Sequence, residues 1–274
     1  MSIGFKRYIA MIKAKLFTPL LMALALLTRL PVMFLFAKDL QGAWPPQGQG
    51  LSTLWYPFVG GVLAIILYGL FLILPTSTAP EIVAVVIVTA WVLLTGALHL
   101  DGLADSIDAG FAAHKISDKS HQLNKILAVF KDPATGPMGV VALVIVLMLK
   151  VILISNLLHT LLIALVLSLS VGRALALGLI VSTPYARQKG LASVLVDNTP
   201  KAIAMLVQVL MIGLIFLLLP SITACILITL SALLFFLWRQ FWLTRIGGFV
   251  GDCVGACIEL SEVLVLLVLY FATL

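Results

Sequence analysis

The chain has 274 residues, 62% of them hydrophobic and only 10% charged, with a mean hydropathy of +1.21. So few charges cannot cover a water-exposed surface, which excludes a soluble domain and points to an integral membrane protein. The net charge of +6 is carried by basic residues clustered between apolar runs, where they report topology and headgroup contact and not nucleic-acid binding.

In chain order, Lys6, Arg7, Lys13 and Lys15 come first, with no small-residue cleavage site after the apolar run that follows. That run, 16–36, contains Pro19, Arg29 and Pro31, which suit a broken, re-entrant or interfacial helix. Residues 38–50, rich in Gly and Pro, read as a connector. Spans of about 20 apolar residues are predicted over 57–74, 82–98, 138–154, 160–181, 203–219, 222–238 and 258–274. The expected fold is therefore all-α, one polytopic helix bundle over 1–274 with about seven transmembrane helices. Residues 119–130 read as an amphipathic surface helix with Leu123, Ile126, Leu127 and Phe130 facing down. Lys and Arg occur in the connections 99–137, 182–202 and 239–257 and are missing from the alternate ones, so the first set is expected on the cytoplasmic side. Lys150 lies within a span and is expected to snorkel outward. Cys225, Cys253 and Cys257 are too few for a disulfide framework, and Cys253 and Cys257, four apart as two metal ligands could be, read as packing residues.

Chemistry gathers on the basic side. The chain has 11 acidic residues, and Asp101, Asp105, Asp108, Asp118, Asp132, Asp197 and Asp252 all fall in those connections or at their helix mouths. On a helix Asp101, Asp105 and Asp108 share one face, where like charges repel unless a cation sits among them. Oxygen-only ligands point to a hard ion, Mg2+, with water and substrate phosphates completing its shell. His99 borders this triad, as a general base or as a group orienting Asp101. Three further clusters share the face. Lys131 and Asp132 lead through Gly136 and Gly139 into a helix whose N–H groups suit an anion, although the run also reads as an ordinary turn. Arg173 lies within a span, where an arginine needs a carboxylate or phosphate partner, and Arg187 and Lys189 follow it. The last is Arg245-Ile246-Gly247-Gly248-Phe249-Val250-Gly251-Asp252, leading to Glu259 and Glu262 just inside the final span. His114 and His121 read as solvated, and His159 lies in an outer connection.

Thr95-Gly96-Ala97-Leu98-His99-Leu100-Asp101-Gly102-Leu103-Ala104-Asp105 resembles the signature of the cobalamin synthase (adenosylcobinamide-GDP ribazoletransferase) family. Similar matches follow in order: Leu27-Thr28-Arg29-Leu30-Pro31-Val32, Tyr56-Pro57-Phe58-Val59-Gly60, Lys131-Asp132 with Gly136 and Gly139-Val140, Tyr185-Ala186-Arg187 with Gly190-Leu191, and Gly247-Gly248 through Glu259-Leu260-Ser261-Glu262. The chain departs from the family at Pro133-Ala134-Thr135, where a basic contact to substrate is usual, and at Ala97, commonly glycine. The resemblance implies a Mg2+-dependent transfer at the bacterial inner membrane: adenosylcobinamide-GDP and α-ribazole (or its 5'-phosphate) give adenosylcobalamin (or its 5'-phosphate) and GMP. On that reading Asp101, Asp105, Asp108 and Asp252 hold the metal, and His99 or a carboxylate takes the proton. Lys131, Asp132, Arg173, Arg187, Gly248, Glu259 and Glu262 form the substrate-binding set. Partners are the two substrates and the lipid bilayer, with no nucleic acid; association with itself or with other cobalamin-assembly enzymes is left open. The rival readings are a cation-coupled transporter and a CDP-alcohol-type phosphotransferase, whose Asp-Gly-x2-Ala-Arg motif is missing because Asp105 stands at the Ala position.

Overall fold

The computed structural model of the chain describes residues 17–32, 45–112, 118–187 and 191–273. Within them the chain is helical: α1 (Thr18–Leu27), α2 (Pro46–Ser52), α3 (Tyr56–Ile73), α4 (Pro80–Thr95), α5 (Leu98–Ala112), α6 (Lys119–Val129), α7 (Pro137–Asn156), α8 (Leu161–Ser182), α9 (Leu191–Asn198), α10 (Lys201–Leu218), α11 (Ser221–Ile246) and α12 (Gly251–Ala272). Pro57, Pro80 and Pro137 stand in the first turns of α3, α4 and α7, where a missing N–H breaks no helical bond. His114 and Lys115, Lys189 and Gly190, the basic N-terminal residues and most of the 38–50 connector lie outside the described residues.

Among the described residues six stretches are long and apolar enough to cross a membrane: Pro46–Ile73, α7, Leu158–Ser182, α10, α11 and α12. Helices α4 and α5 pass the same test only as a pair, bent by 86°. The bend follows from backbone chemistry. Gly96 (φ 62°) and Ala97 (φ 57°) are both left-handed, and a Cβ at Gly96 would lie 2.1 Å from Nε of Arg29. In the N-terminal segment, α1 spans ten residues, about 15 Å at 1.5 Å per residue, too short to cross a bilayer. This fits the expected broken segment.

Several span boundaries differ from the sequence expectation: the first stretch begins at Pro46 and not at 57, and the expected span 82–98 is broken at Gly96 and Ala97. Helix α11 runs on through Arg239 and Arg245 to Ile246, and α12 starts at Gly251, seven residues before the predicted 258. Charges and glycines interrupt the apolar run there, yet they do not interrupt the backbone hydrogen bonds; only Gly247, left-handed at φ 71°, ends α11.

Helices α8 and α12 form the centre of the bundle, with α3 packed on α8 and α5 laid across α12, while α7 covers α4 and α5. At the α5–α12 crossing a Cβ on Gly102 would come within 2.8 Å of the Asp252 carbonyl oxygen, so only glycine permits this approach. Four buried charges tie the centre together. Lys150 Nζ lies 2.7 Å from both Glu259 Oε2 and Glu262 Oε2, and Arg173 Nη1 lies 3.1 Å from Glu262 Oε1. Lys150 therefore does not snorkel. It is 2% exposed and turned inward, 4.3 Å from the Trp91 ring centre, because two carboxylates within the bundle hold its ammonium better than a stretched route to the surface.

Candidate active site

Helix α5 presents Asp101 exposed in its first turn, Asp105 half-buried one turn on and Asp108 half-buried after that. Asp101, Asp252, Asp108 and Asp132 all bear electrostatically on Asp105. Among the described residues every ion pair belongs to Lys150 or Arg173, so no cation sits on these carboxylates. Asp252, expected with these three aspartates, is their electrostatic neighbour across the α5–α12 crossing.

Asp108 is spoken for. Its Oδ2 accepts from the Gly136 N–H at 2.7 Å and its Oδ1 from the Gly139 N–H at 2.9 Å. These are free donors at the N-terminus of α7, and a carboxylate there is favoured by the helix dipole. The anion expected at 131–139 is therefore supplied from within the chain. Lys131 and Asp132 stand exposed beside this junction; Asp132 Oδ1 accepts from the Ala134 N–H at 3.0 Å.

A cavity of about 370 Å³ opens beside Asp101 and Asp252 and also meets His99, Arg187, Tyr185 and Tyr56. Its remaining walls are apolar, with Leu27, Ile180, Leu195, Phe249 and Ile258 among them. Arg187 reaches it from the 183–187 connection, where its Nη2 donates to the Phe130 carbonyl at 3.2 Å and its charge faces Asp252. That connection is clamped to the 247–250 turn by the Ala186 N–H on the Phe249 carbonyl (2.9 Å) and the Phe249 N–H on the Pro184 carbonyl (3.0 Å). Gly248 serves the clamp: a Cβ there would meet the Pro184 carbonyl oxygen at 2.2 Å.

The four sequence clusters thus converge at one end of the bundle, but not every member reaches the cavity. Arg173, Glu259 and Glu262 are sealed in the buried ion-pair group with Lys150 and offer a substrate almost no surface. Their expected place on the substrate does not match this position; the reason is that Lys150, from a helix more than 100 residues away in sequence, satisfies both glutamates. Leu27, Phe249 and Tyr56 line the cavity without having been singled out as functional. Tyr56 sits in a quoted motif, Tyr56-Pro57, and a phenol at the mouth of a span was the available signal.

Among the described residues no three His, Cys, Asp or Glu side chains form a ready-made metal cage. Mg2+ does not need one: it is commonly held by one or two carboxylates, its shell completed by water and substrate phosphates. Asp101 and Asp105, unpaired and one turn apart, with Asp252 opposite, are a hard-oxygen donor set of that kind and fit such an ion. Cys253 and Cys257 are free and buried among core residues.

Residues 19–270 match the family described as Cobalamin-5-phosphate synthase. The chain is 41% identical over 252 residues to the adenosylcobinamide-GDP ribazoletransferase of Stutzerimonas stutzeri (strain A1501), covering 90% of this chain and 96% of that protein. It is 39% identical over 262 residues to the protein of the same name from Pseudomonas syringae pv. syringae (strain B728a), covering 92% and 98%. Against that from Pseudomonas putida (strain W619) the figures are 40% over 268 residues, 93% and 99%. No solved structure is significantly similar. With the match running through every helix that builds the cavity, this chain belongs to the Cobalamin-5-phosphate synthase family.

Proposed function

We propose that this chain catalyses a late step of cobalamin assembly, the transfer of adenosylcobinamide phosphate from adenosylcobinamide-GDP to a hydroxyl of α-ribazole or α-ribazole 5'-phosphate. The hydroxyl oxygen bonds to the cobinamide-side phosphorus, the bond from that phosphorus to the bridging oxygen breaks, and GMP leaves with the electron pair. The observation that carries this reading is the cavity mouth, where the Asp101 and Asp252 carboxylates stand beside Arg187 while the deeper walls are apolar.

Arg187 holds the phosphates as they approach, its guanidinium suited to paired phosphate oxygens. Asp252, facing Arg187 across the mouth, takes the proton of the attacking hydroxyl. Asp101 and Asp105 are the residues that would hold Mg2+, which would neutralise charge on the pyrophosphate and on departing GMP. Asp108 keeps α5 docked on α7, and the Lys150 group keeps α7, α8 and α12 in register behind the site. The active face is the cytoplasmic face of a bacterial inner membrane, supported by the basic residues in the connections that build it. A transporter would need its charged groups along a path; among the described residues the deep ones, Lys150, Arg173, Glu259 and Glu262, are closed on each other as ion pairs.

Purified protein in lipid nanodiscs, given adenosylcobinamide-GDP, α-ribazole and Mg2+, is expected to release GMP in step with cobalamin formation. Chelation should stop it. Movement of a corrinoid across vesicles without GMP release would favour the transporter, and equal use of a diacylglycerol-type alcohol would favour the CDP-alcohol class.

A further inference from the structure

Phosphate chemistry accounts for the mouth of the cavity but not for its inner half. Beyond Asp252 the cavity follows α12 to Ile258, about 9 Å farther at 1.5 Å per residue, past Tyr56, Ile180 and Leu27. His99 is set into this wall, 3% exposed, its backbone beside Gly255. Neither of its ring nitrogens has a hydrogen-bond partner. The buried cations Arg173 and Lys150 bear on it electrostatically. A buried imidazole costs free energy unless something meets its polar atoms, and in every tautomer at least one ring nitrogen carries a proton to donate.

We propose that His99 reads the base of the acceptor: the inner cavity takes a flat azole nucleoside, and a His99 N–H donates to the base's free ring nitrogen. This rests on the ribazole-transfer reading. At about 370 Å³ the cavity is at the small end of ligand sites, which suits a nucleoside and not a corrin macrocycle. α-Ribazole is a benzimidazole riboside; one ring nitrogen carries the ribose and the other is an unencumbered acceptor. With its apolar edge toward Ile180 and Ile258 and that nitrogen on His99, its ribose hydroxyls stay at the mouth near Asp101 and Asp252. His99 is then a specificity contact and not the base that takes the proton.

The test compares α-ribazole with an analogue whose free ring nitrogen is replaced by C–H, following GMP release from adenosylcobinamide-GDP by the full chain in nanodiscs. For the wild-type chain kcat/KM should fall about 10- to 100-fold with the analogue, mainly through KM, since a buried donor is left unmet. His99→Phe should bring α-ribazole down to the analogue's level, with the two acceptors within about threefold of each other. His99→Asn, which keeps a donor, should retain part of the preference. Equal use of both acceptors by the wild-type chain overturns the proposal without any variant. So does a His99→Phe enzyme that loses kcat alike on both acceptors while its preference stands, the mark of a proton-transfer role. Should His99→Phe fail to fold, the wild-type comparison and His99→Asn still decide. Failure of α-ribazole itself to release GMP from the wild-type chain would instead count against the transfer reading.

Discussion

Asp101 and Asp252 line the cavity mouth, and Asp105 lies behind them within reach of both charges, with no cation in ion-pair contact among the described residues. Two to three turns deeper along α12, Glu259 and Glu262 each meet Lys150 at 2.7 Å, and Glu262 also meets Arg173. Both groups are carboxylates on or beside the same helix. The difference is the counter-charge: the inner group is internally neutral, two cations against two anions, whereas the outer group is left anionic. A folded chain keeps uncompensated charge together only where something else will pay for it, and a mouth open to solvent is where a cation and a polyphosphate can arrive. The inner group therefore reads as scaffold and the outer group as chemistry.

The hardest way to break this contrast is to unbalance the inner group. Glu262→Gln leaves Arg173 and Lys150 short of a charge at 0% and 2% exposure, and a broken buried pair costs about 3–5 kcal/mol. Folded yield and thermal midpoint in detergent should drop sharply. Glu262→Leu with Arg173→Leu removes one cation and one anion together, leaving Lys150 on Glu259, and should be more stable than the single change. If the single change is harmless, the group is not scaffold.

The outer group should answer in the opposite way. Asp101→Asn or Asp105→Asn should lower GMP release by about 100-fold or more, the scale for losing a group that stabilises developing charge. Membrane insertion and thermal midpoint should hold or improve, since a repelling charge is gone. Near-normal activity of either variant at low Mg2+ would remove both residues from the metal site.

How much of this could be read from the residues differs between the two groups. The mouth was legible because carboxylates are scarce in this chain, and Asp101, Asp105 and Asp108 fall at helical spacing in one local segment. Most spans were legible from apolar runs alone, though not where each one ends. The inner group was not, since Lys150 and Glu259 are 109 residues apart and an apolar run does not say which helix lies beside it. Nor does pattern reveal the 86° turn at Gly96 and Ala97, which lays α5 across α12 and carries Asp252 to Asp105. The lipid-facing helices teach the same limit: α10 and α11 are as apolar as α8 and α12, yet 17% of each span is buried against 78% and 67%. What marks the inner helices is small and polar residues such as Ser168, Ser170, Gly172 and Gly255, which let backbones approach.

The contact that joins the two groups can be loosened without touching a charge. In Gly102→Ala the new Cβ would start 2.8 Å from the Asp252 carbonyl oxygen, so α5 and α12 must separate slightly. Overpacking of this kind costs about 1–3 kcal/mol. Activity should fall more than stability, because the separation moves Asp252 relative to Asp101. A variant with lowered thermal midpoint and unchanged kcat would mean that the two carboxylates do not need their present spacing.

Asp108 tests where the boundary between chemistry and scaffold runs. By sequence it is the third member of the anionic triad; by position it is a cap, with both oxygens on the N–H groups of Gly136 and Gly139. A metal ligand and a cap respond differently to the same change. Asp108→Asn removes the charge but keeps one oxygen to accept a hydrogen bond, and Asp108→Ala removes both acceptors. As a cap, Asp108→Ala should cost about 1 kcal/mol of stability and Asp108→Asn less, with activity following stability in both. As a metal ligand, Asp108→Asn should match Asp101→Asn in activity while the thermal midpoint stays put. The geometry favours the cap, because an oxygen already bound to an amide at 2.7 Å has less freedom to turn toward an incoming ion than the exposed carboxylate of Asp101. Thermal unfolding and GMP release measured on the same two preparations separate the outcomes.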